Sequence, residues 1–200
     1  MNGLPMARLH RIKAIVMGAS AGGVDALLKL LSNLPADFGP PIVVVLHLAE
    51  GRDSQLAEIF RNRTLMKVRE AADKESLAPG TLYFAPPGYH LLIEKEHSFS
   101  LSGEAPVNFS RPSIDVLMES AADAYGAHLA GILLTGANAD GAAGLAKIGQ
   151  QGGLAVVQDP AEAQMPTMPE AAIRQRQPDL ILDLKSIRSL LLEMGKIHAE

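Results

Sequence analysis

A glycine-rich segment between a strand-like run and a helix-like run constrains this chain more than any other feature. Residues 14–17 (AIVM) predict a buried strand, and residues 18–23 read GASAGG. From residue 24 to Leu34 apolar side chains recur at helical spacing until Pro35 stops them. A strand that turns directly into a helix is typical of a β–α–β unit, so the opening segment already predicts an α/β fold.

The rest of the chain continues the alternation of strands and helices. Apolar runs predict further strands at 41–46, 128–134, 154–157 and 179–182. Helices are predicted at 54–63, 113–125, 140–151, from Asp159-Pro160 onward, and at 185–199. Such an order predicts a doubly wound, mostly parallel sheet with helices on both faces, a Rossmann-like three-layer arrangement. Residues 67–102 depart from it with short strands at 81–85, 90–94 and 98–102, which predict a β-hairpin-rich insertion at one sheet edge.

Composition narrows the class of protein. The 200 residues suit a single domain spanning 1–200, with residues 1–11 expected to be a flexible N-terminal segment. A net charge of −4 argues against nucleic-acid binding, and the absence of cysteine excludes disulfides and thiolate chemistry. Without a long apolar run or a signal-peptide pattern, the chain is expected to be cytoplasmic and not membrane-embedded.

Ser20 is the first candidate for chemistry. Residues 18–22 (GASAG) satisfy G-x-S-x-G, a tight strand-to-helix turn that lifts a serine out of the sheet. The helix that follows offers free N–H groups for an oxyanion. A phosphate-binding turn is the alternative at this position, although the spacing differs from G-x-G-x-x-G and no Walker lysine follows.

Two further residues could complete a Ser-His-Asp set. His47 directly follows the apolar run 41–46, so it belongs at the same edge of the sheet as Ser20. Asp140 follows another predicted strand and precedes a helix; its plainer interpretation is a helix N-cap, but flanking glycines favour close approach of other groups. The chain order differs from that of α/β-hydrolases, yet geometry defines such triads and chain order does not.

These segments together resemble the chemotaxis protein-glutamate methylesterases, the CheB-type catalytic domain. The similarity covers roughly residues 12–182, and the family's serine, histidine and aspartate fall on Ser20, His47 and Asp140. It is carried by GASAGGVDAL, the strand ending at His47, SRPSIDVLMESAA (110–122), ILLTGANADGAAGL (132–145), VVQDPAEA (156–163) and MPEAA (168–172).

The resemblance implies a serine hydrolase that removes methyl groups from glutamate γ-methyl esters on the cytoplasmic helical region of chemoreceptors, with possible deamidation of receptor glutamines. It implies neither a metal nor an organic cofactor. Backbone N–H groups would hold the oxyanion. They come from the turn and from the loop after residue 134: Ala21, Gly22, Gly136, Ala137 and Asn138.

The sequence departs from the family pattern in ways that leave alternatives open. Ala21 and Ala137 stand where members commonly carry Thr and Met, and Leu48-Ala49 where Met-Pro is usual. Only nineteen residues precede Ser20, so a receiver domain does not fit, and the chain is expected to be a stand-alone catalytic domain or a fragment of a longer protein. A non-catalytic module that binds a receptor or signalling protein is the runner-up. A nucleotide-binding domain is the third interpretation. It would need an acidic residue about 20 residues after the glycine-rich turn to bind the ribose, and the candidate, Asp37, lies in a Pro/Gly loop and not at a strand end.

Overall fold

A seven-stranded, all-parallel sheet forms the centre of the computed structural model, which describes residues 6–47 and 56–196. The strands are β1 (Ala14–Ala19), β2 (Ile42–Leu46), β3 (Lys67–Glu70), β4 (Thr81–Phe84), β7 (Leu129–Leu133), β8 (Leu154–Gln158) and β9 (Leu180–Leu182). Their order is β3-β4-β2-β1-β7-β8-β9. β5 (His90–Ile93) and β6 (Phe99–Ser102) form a separate antiparallel hairpin. The predicted doubly wound parallel fold is confirmed.

Helices cover both faces of the sheet. They are α1 (Met6–Leu9), α2 (Gly23–Leu31), α3 (Leu56–Arg61), α4 (Ile114–Tyr125), α5 (Ala142–Gln150), α6 (Thr167–Gln175) and α7 (Leu184–Met194). Alternate strand residues point to opposite faces, so Ile15 and Met17 join a core with α2, α3 and α7. Ala14 and Val16 join the other core with α4, α5, α6 and the hairpin. Both cores are continuous, which makes the sheet the middle of three layers.

The segment 67–102 is only partly the insertion that its short strands suggest. Thr81–Phe84 pairs in parallel with β2, and Lys67–Glu70 pairs in parallel with β4, so both belong to the main sheet. β3 escapes sequence prediction because, as an edge strand, it buries Val68 alone of its four residues. The hairpin insertion is confined to β5 and β6.

Other boundaries also differ from expectation. The helix predicted from Asp159-Pro160 is wrong in its start: the Asp159 carboxylate accepts the N–H of Ala161 in a local turn, and α6 starts only at Thr167. The described part of the predicted helix 54–63 is α3, and α7 ends at Met194; residues 54–55 and 197–199 lie outside the described residues. Within the N-terminal segment, α1 buries Leu9 in the core.

Successive strands are added on opposite sides of β1. The chain goes to β2 on one side of β1 and later to β7 on the other, which makes the carboxyl ends of these three strands a topological switch point. Ligand sites of open parallel sheets lie at such points. Among the helices of the described residues, none combines the length and apolarity needed to cross a membrane.

Candidate active site

Asp140 is the most densely hydrogen-bonded side chain at the switch point. It lies between β7 and α5 and is fully buried, with 0% of its surface exposed. It does not cap α5, because Gly141 occupies the cap position. Instead, five groups donate hydrogen bonds to its carboxylate oxygens: Ile114 N (2.7 Å), Ser113 Oγ (2.8 Å), His47 Nε2 (2.9 Å), Asn108 Nδ2 (3.1 Å) and Asp115 N (3.2 Å).

The N-terminus of α4 is what receives this carboxylate. Ser113 caps the helix and the first main-chain N–H groups point at Asp140, an arrangement that favours negative charge. The N-terminus of α4 packs closely against β1 because Gly18 has no side chain: a Cβ there would lie 2.3 Å from the Ile114 side chain. Burial alone would raise the pKa of Asp140, but its hydrogen bonds outweigh burial and lower the pKa below its ordinary value. Asp140 is therefore an anion at neutral pH.

His47 lies directly against this anion. Its Nε2 is 2.9 Å from Asp140 Oδ2, and its main-chain N–H donates to Ala19 O at 3.1 Å, beside Ser20. An ionised carboxylate can only accept, so Nε2 carries the hydrogen and Nδ1 of the neutral ring is left as the basic nitrogen. The side chain is mostly buried, with 11% of its surface exposed. Ser110 Oγ lies 3.4 Å from that nitrogen.

Ser20 stands in the turn between β1 and α2, held by its main chain. Its N–H donates to Thr135 O at 3.0 Å, and its carbonyl accepts the N–H of Gly23 at 2.8 Å. The Thr135 hydroxyl donates to Ala21 O at 2.9 Å, which ties the turn to the end of β7. The Ser20 hydroxyl makes no hydrogen bond within the described residues. The structure thus joins His47 to Asp140 directly and brings the Ser20 main chain beside His47.

The predicted oxyanion donors are not equivalent. The N–H of Gly136 is already engaged, since it donates to Met165 O at 3.1 Å. The N–H groups of Gly22 and Asn138 have no acceptor within the described residues, but both residues are partly buried, and the Asn138 side chain accepts the N–H of Asp140. The N–H groups of Ala21 and Ala137 have no acceptor within the described residues, and both residues are exposed at the sheet edge. Free, exposed donors of this kind are what a developing oxyanion requires.

Four polar residues that sequence reasoning did not single out complete the site. Asn108 and Ser113 bind Asp140, Ser110 faces His47, and Thr135 holds the Ser20 turn. Ser110 and Ser113 lie inside the stretch 110–122 that resembles the family, which was a signal available from the sequence. Thr135 likewise lies inside the family-like stretch 132–145, whereas Asn108 lies outside these stretches and acts through tertiary contacts, which have no local sequence pattern.

A second buried carboxylate lies next to Asp140. Asp115 accepts hydrogen bonds from Gly144 N (2.7 Å) and from Asn108 Nδ2 (2.8 Å). Burial, and to a lesser degree the charge of Asp140, raise the pKa of Asp115 to about 6, although the Gly144 hydrogen bond opposes the shift. Asn108 therefore bridges two carboxylates that hold their protons with different affinities.

Two other histidines, His90 and His97, have structural contacts away from the catalytic pair. His90 is buried, accepts the N–H of Ser113 at 3.2 Å and contacts Ala105 O at 3.0 Å, so it supports the α4 N-terminus. His97 stacks on Tyr125 with ring centroids 4.1 Å apart. No group of three or more His, Asp and Glu side chains in the described ranges is arranged to hold a metal ion.

Comparisons with known proteins agree with this architecture. The sequence model of the CheB methylesterase family matches residues 15–191. A protein of Leptospira interrogans named protein-glutamate methylesterase/protein-glutamine glutaminase is 47% identical over 188 residues, which is 94% of this chain and 97% of that one. The protein-glutamate methylesterase FrzG of Myxococcus xanthus is 35% identical over 90% of this chain, which spans 54% of FrzG.

A solved structure extends the agreement to three dimensions. The crystal structure of the Thermotoga maritima CheB methylesterase catalytic domain superposes with a TM-score of 0.86 at 32% sequence identity. The match covers 92% of this chain and 98% of that domain.

Proposed function

This chain belongs to the CheB methylesterase family, and on that premise we propose that it hydrolyses glutamate γ-methyl esters on the cytoplasmic helical region of chemoreceptors, using Ser20 as nucleophile. It is an enzyme of the protein-glutamate methylesterase/protein-glutamine glutaminase type, so receptor glutamines are the second proposed substrate. The observation that carries the catalytic assignment is the 2.9 Å contact between His47 and a buried, ionised Asp140 beside the Ser20 turn.

In the proposed acylation step, Ser20 Oγ attacks the ester carbonyl carbon while His47 Nδ1 takes its proton. Asp140 holds the hydrogen on Nε2, so that Nδ1 is the nitrogen with a free lone pair, and its charge stabilises the imidazolium that forms. The tetrahedral intermediate then breaks its bond to the methoxy group, which leaves as methanol with the proton from His47. A glutamine side chain would release ammonia in the same step.

The proposed deacylation step repeats these roles with water. His47 Nδ1 removes a proton from water, the oxygen attacks the acyl carbon, and the collapse returns a proton to Ser20 and frees the glutamate. The N–H groups of Ala21 and Ala137 are the proposed oxyanion donors in both steps, since each is exposed and without an acceptor in the described structure. Alanine in place of the Thr and Met common at these two positions does not change the proposed role, because the donors are main-chain N–H groups.

Ser20 and Ser110 both lie near His47, so the experiment must show which of the two serines is the nucleophile. The protein is incubated with a receptor cytoplasmic fragment that carries radiolabelled methyl groups, and methanol release is followed for the wild type, Ser20→Ala and Ser110→Ala. We expect Ser20→Ala to lose about six orders of magnitude in kcat. Ser110→Ala should stay within about tenfold of the wild type, because its contact with His47 is long, 3.4 Å.

The other outcomes separate the alternatives. Loss of activity in Ser110→Ala with survival in Ser20→Ala would move the nucleophile to Ser110. A folded wild-type protein that binds the fragment and releases no methanol would favour the non-catalytic binding module.

A further inference from the structure

Residues Val107–Ser110 form a two-residue hairpin turn at the edge of the site. The N–H of Val107 donates to Ser110 O (3.1 Å) and the N–H of Ser110 donates to Val107 O (2.9 Å). The two central residues have positive φ, 50° at Asn108 and 60° at Phe109, as in a type I′ turn. Asn tolerates this left-handed conformation, whereas a bulky residue such as Phe rarely adopts it, at a cost of about 1 kcal/mol or more.

The Phe109 side chain gains nothing from folding that would offset this strain. It has a relative exposure of 104%, the highest of the exposed large hydrophobic side chains in the described residues; the next, Leu65, has 69%. A strained, fully solvated aromatic residue contributes no burial to stability. Strain of this kind collects at functional sites, which points to a role outside folding.

The turn fixes the ring close to the reacting groups. Asn108 donates to Asp140 and to Asp115, and Ser110 lies against His47. The residues on either side of Phe109 therefore both face inward, toward the catalytic pair, while the ring faces solvent. An exposed ring on a turn anchored at both flanks loses little conformational freedom when a partner covers it, which is the property of an interface anchor.

We infer that Phe109 is a specificity-determining residue, the apolar anchor that receives the polypeptide on either side of the target glutamate. The inference rests on the proposed function. On a helical substrate, residues three or four positions away share a face with the reacting glutamate. The partner of the ring is accordingly an apolar side chain one helical turn from the ester, and a small soluble ester lacks it.

The inference is tested by comparing a substrate that has polypeptide on either side of the target glutamate with one that lacks it. The comparison distinguishes an effect on substrate binding from an effect on the catalytic step. Steady-state kcat and KM are measured with a methylated receptor cytoplasmic fragment and with the γ-methyl ester of N-acetylglutamate amide. The test variant is Phe109→Asn, because Asn keeps the left-handed turn and removes the ring. Phe109→Leu restores an apolar side chain, and Leu65→Ala removes an exposed apolar side chain located between α3 and β3.

For Phe109→Asn we expect KM for the receptor fragment to rise about tenfold, with a much smaller change in kcat/KM for the small ester. Phe109→Leu should recover most of the lost affinity, and Leu65→Ala should match the wild type on both substrates. An unchanged receptor KM in Phe109→Asn overturns the inference, as does an equal loss on both substrates, which would assign the ring to support of the catalytic pair. A wild type that cleaves the small ester but no receptor fragment refutes the proposed substrate itself, and the Phe109 inference with it.

Discussion

The site has two halves, an acid half around Asp140 and a nucleophile half around Ser20. Different kinds of groups hold them in position. Around Asp140 the positioning groups are side chains and helix N–H groups, and the carboxylate is enclosed by five donors. Around Ser20 the positioning groups are main-chain atoms and glycines with one side chain, the Thr135 hydroxyl, and the Ser20 hydroxyl is left without a partner in the described residues. The acid is fixed by bonds, whereas the nucleophile is fixed by the shape of the backbone. This difference predicts separate consequences for stability and for activity.

Replacement of the acid should give the largest combined effect. In Asp140→Asn one carboxylate oxygen becomes a donor that faces other donors, whichever way the amide is turned. With its NH2 toward His47 it would also leave the ring protonated on Nδ1, the wrong nitrogen. We expect kcat to fall about 10⁴-fold and the free energy of unfolding to fall by about 2–3 kcal/mol.

Ser20→Ala is the matched comparison, measured by the same kinetics and by urea denaturation. It should lose more activity, about 10⁶-fold in kcat, while the free energy of unfolding stays within about 0.5 kcal/mol of the wild type, because no side-chain bond is removed. If both variants prove equally stable, the contrast between the two halves is wrong.

The two halves also differ in how well sequence predicts them. Gly18, Ser20 and Gly22 fall within five consecutive residues, so the strand-to-helix turn can be recognised as a sequence motif. Asp140 could be predicted only as an acid at the right sheet edge, with a helix cap as the plainer interpretation. Its true partner, the N-terminus of α4, comes from a distant part of the chain and is brought near by strand order. The parallel sheet was predictable for the same reason as the turn, since buried strands are contiguous apolar runs, whereas β3 was missed because a single residue of it is buried.

The backbone half is tested by adding one methyl group. Gly22 has φ 79°, and a Cβ there would lie 2.6 Å from Gln164 Oε1 and 2.8 Å from Gln164 Cβ. Gly88 has nearly the same φ, 80°, with nothing within 4 Å, so Gly88→Ala measures the conformational strain alone. We expect each variant to lose about 1 kcal/mol through positive φ, and Gly22→Ala to lose about 1 kcal/mol more through crowding.

Activity separates the two glycine variants further. Displacement of the turn should reduce kcat of Gly22→Ala by roughly tenfold to a hundredfold, because misplacement of the nucleophile by a fraction of an ångström to an ångström is costly. Gly88→Ala should retain the wild-type kcat. Chemical denaturation and methanol release on the same preparations provide both measurements, and an unimpaired kcat in Gly22→Ala would show that the turn does not set the nucleophile's position.

The smallest predicted effect concerns Asp115, the second carboxylate of the acid half. Its pKa is raised from 3.8 to about 6, chiefly by burial, so the folded protein holds this proton more tightly than the unfolded chain does. The contribution of Asp115 to stability is therefore present below about pH 4 and is lost as pH rises to about 6. Asp115→Asn removes this dependence. Between pH 4 and 7 the stability difference should move in favour of the variant by roughly 1–2 kcal/mol, with partial solvent access allowed for.

Asp123 provides a control of opposite sign. Hydrogen bonds from Lys147 and Gln151 lower the pKa of this exposed carboxyl, so its contribution to stability appears as pH rises and is lost on acidification. Because this pKa is lowered below 3.8, the change falls mostly below pH 4, and from pH 3 to pH 7 the stability difference between Asp123→Asn and the wild type should shift slightly in favour of the wild type. Urea denaturation of the three proteins at pH 3, 4 and 7 measures both signs. Parallel pH profiles for Asp115→Asn and the wild type would mean that Asp115 is ionised throughout, and that the acid half tolerates two adjacent negative charges across the Asn108 bridge.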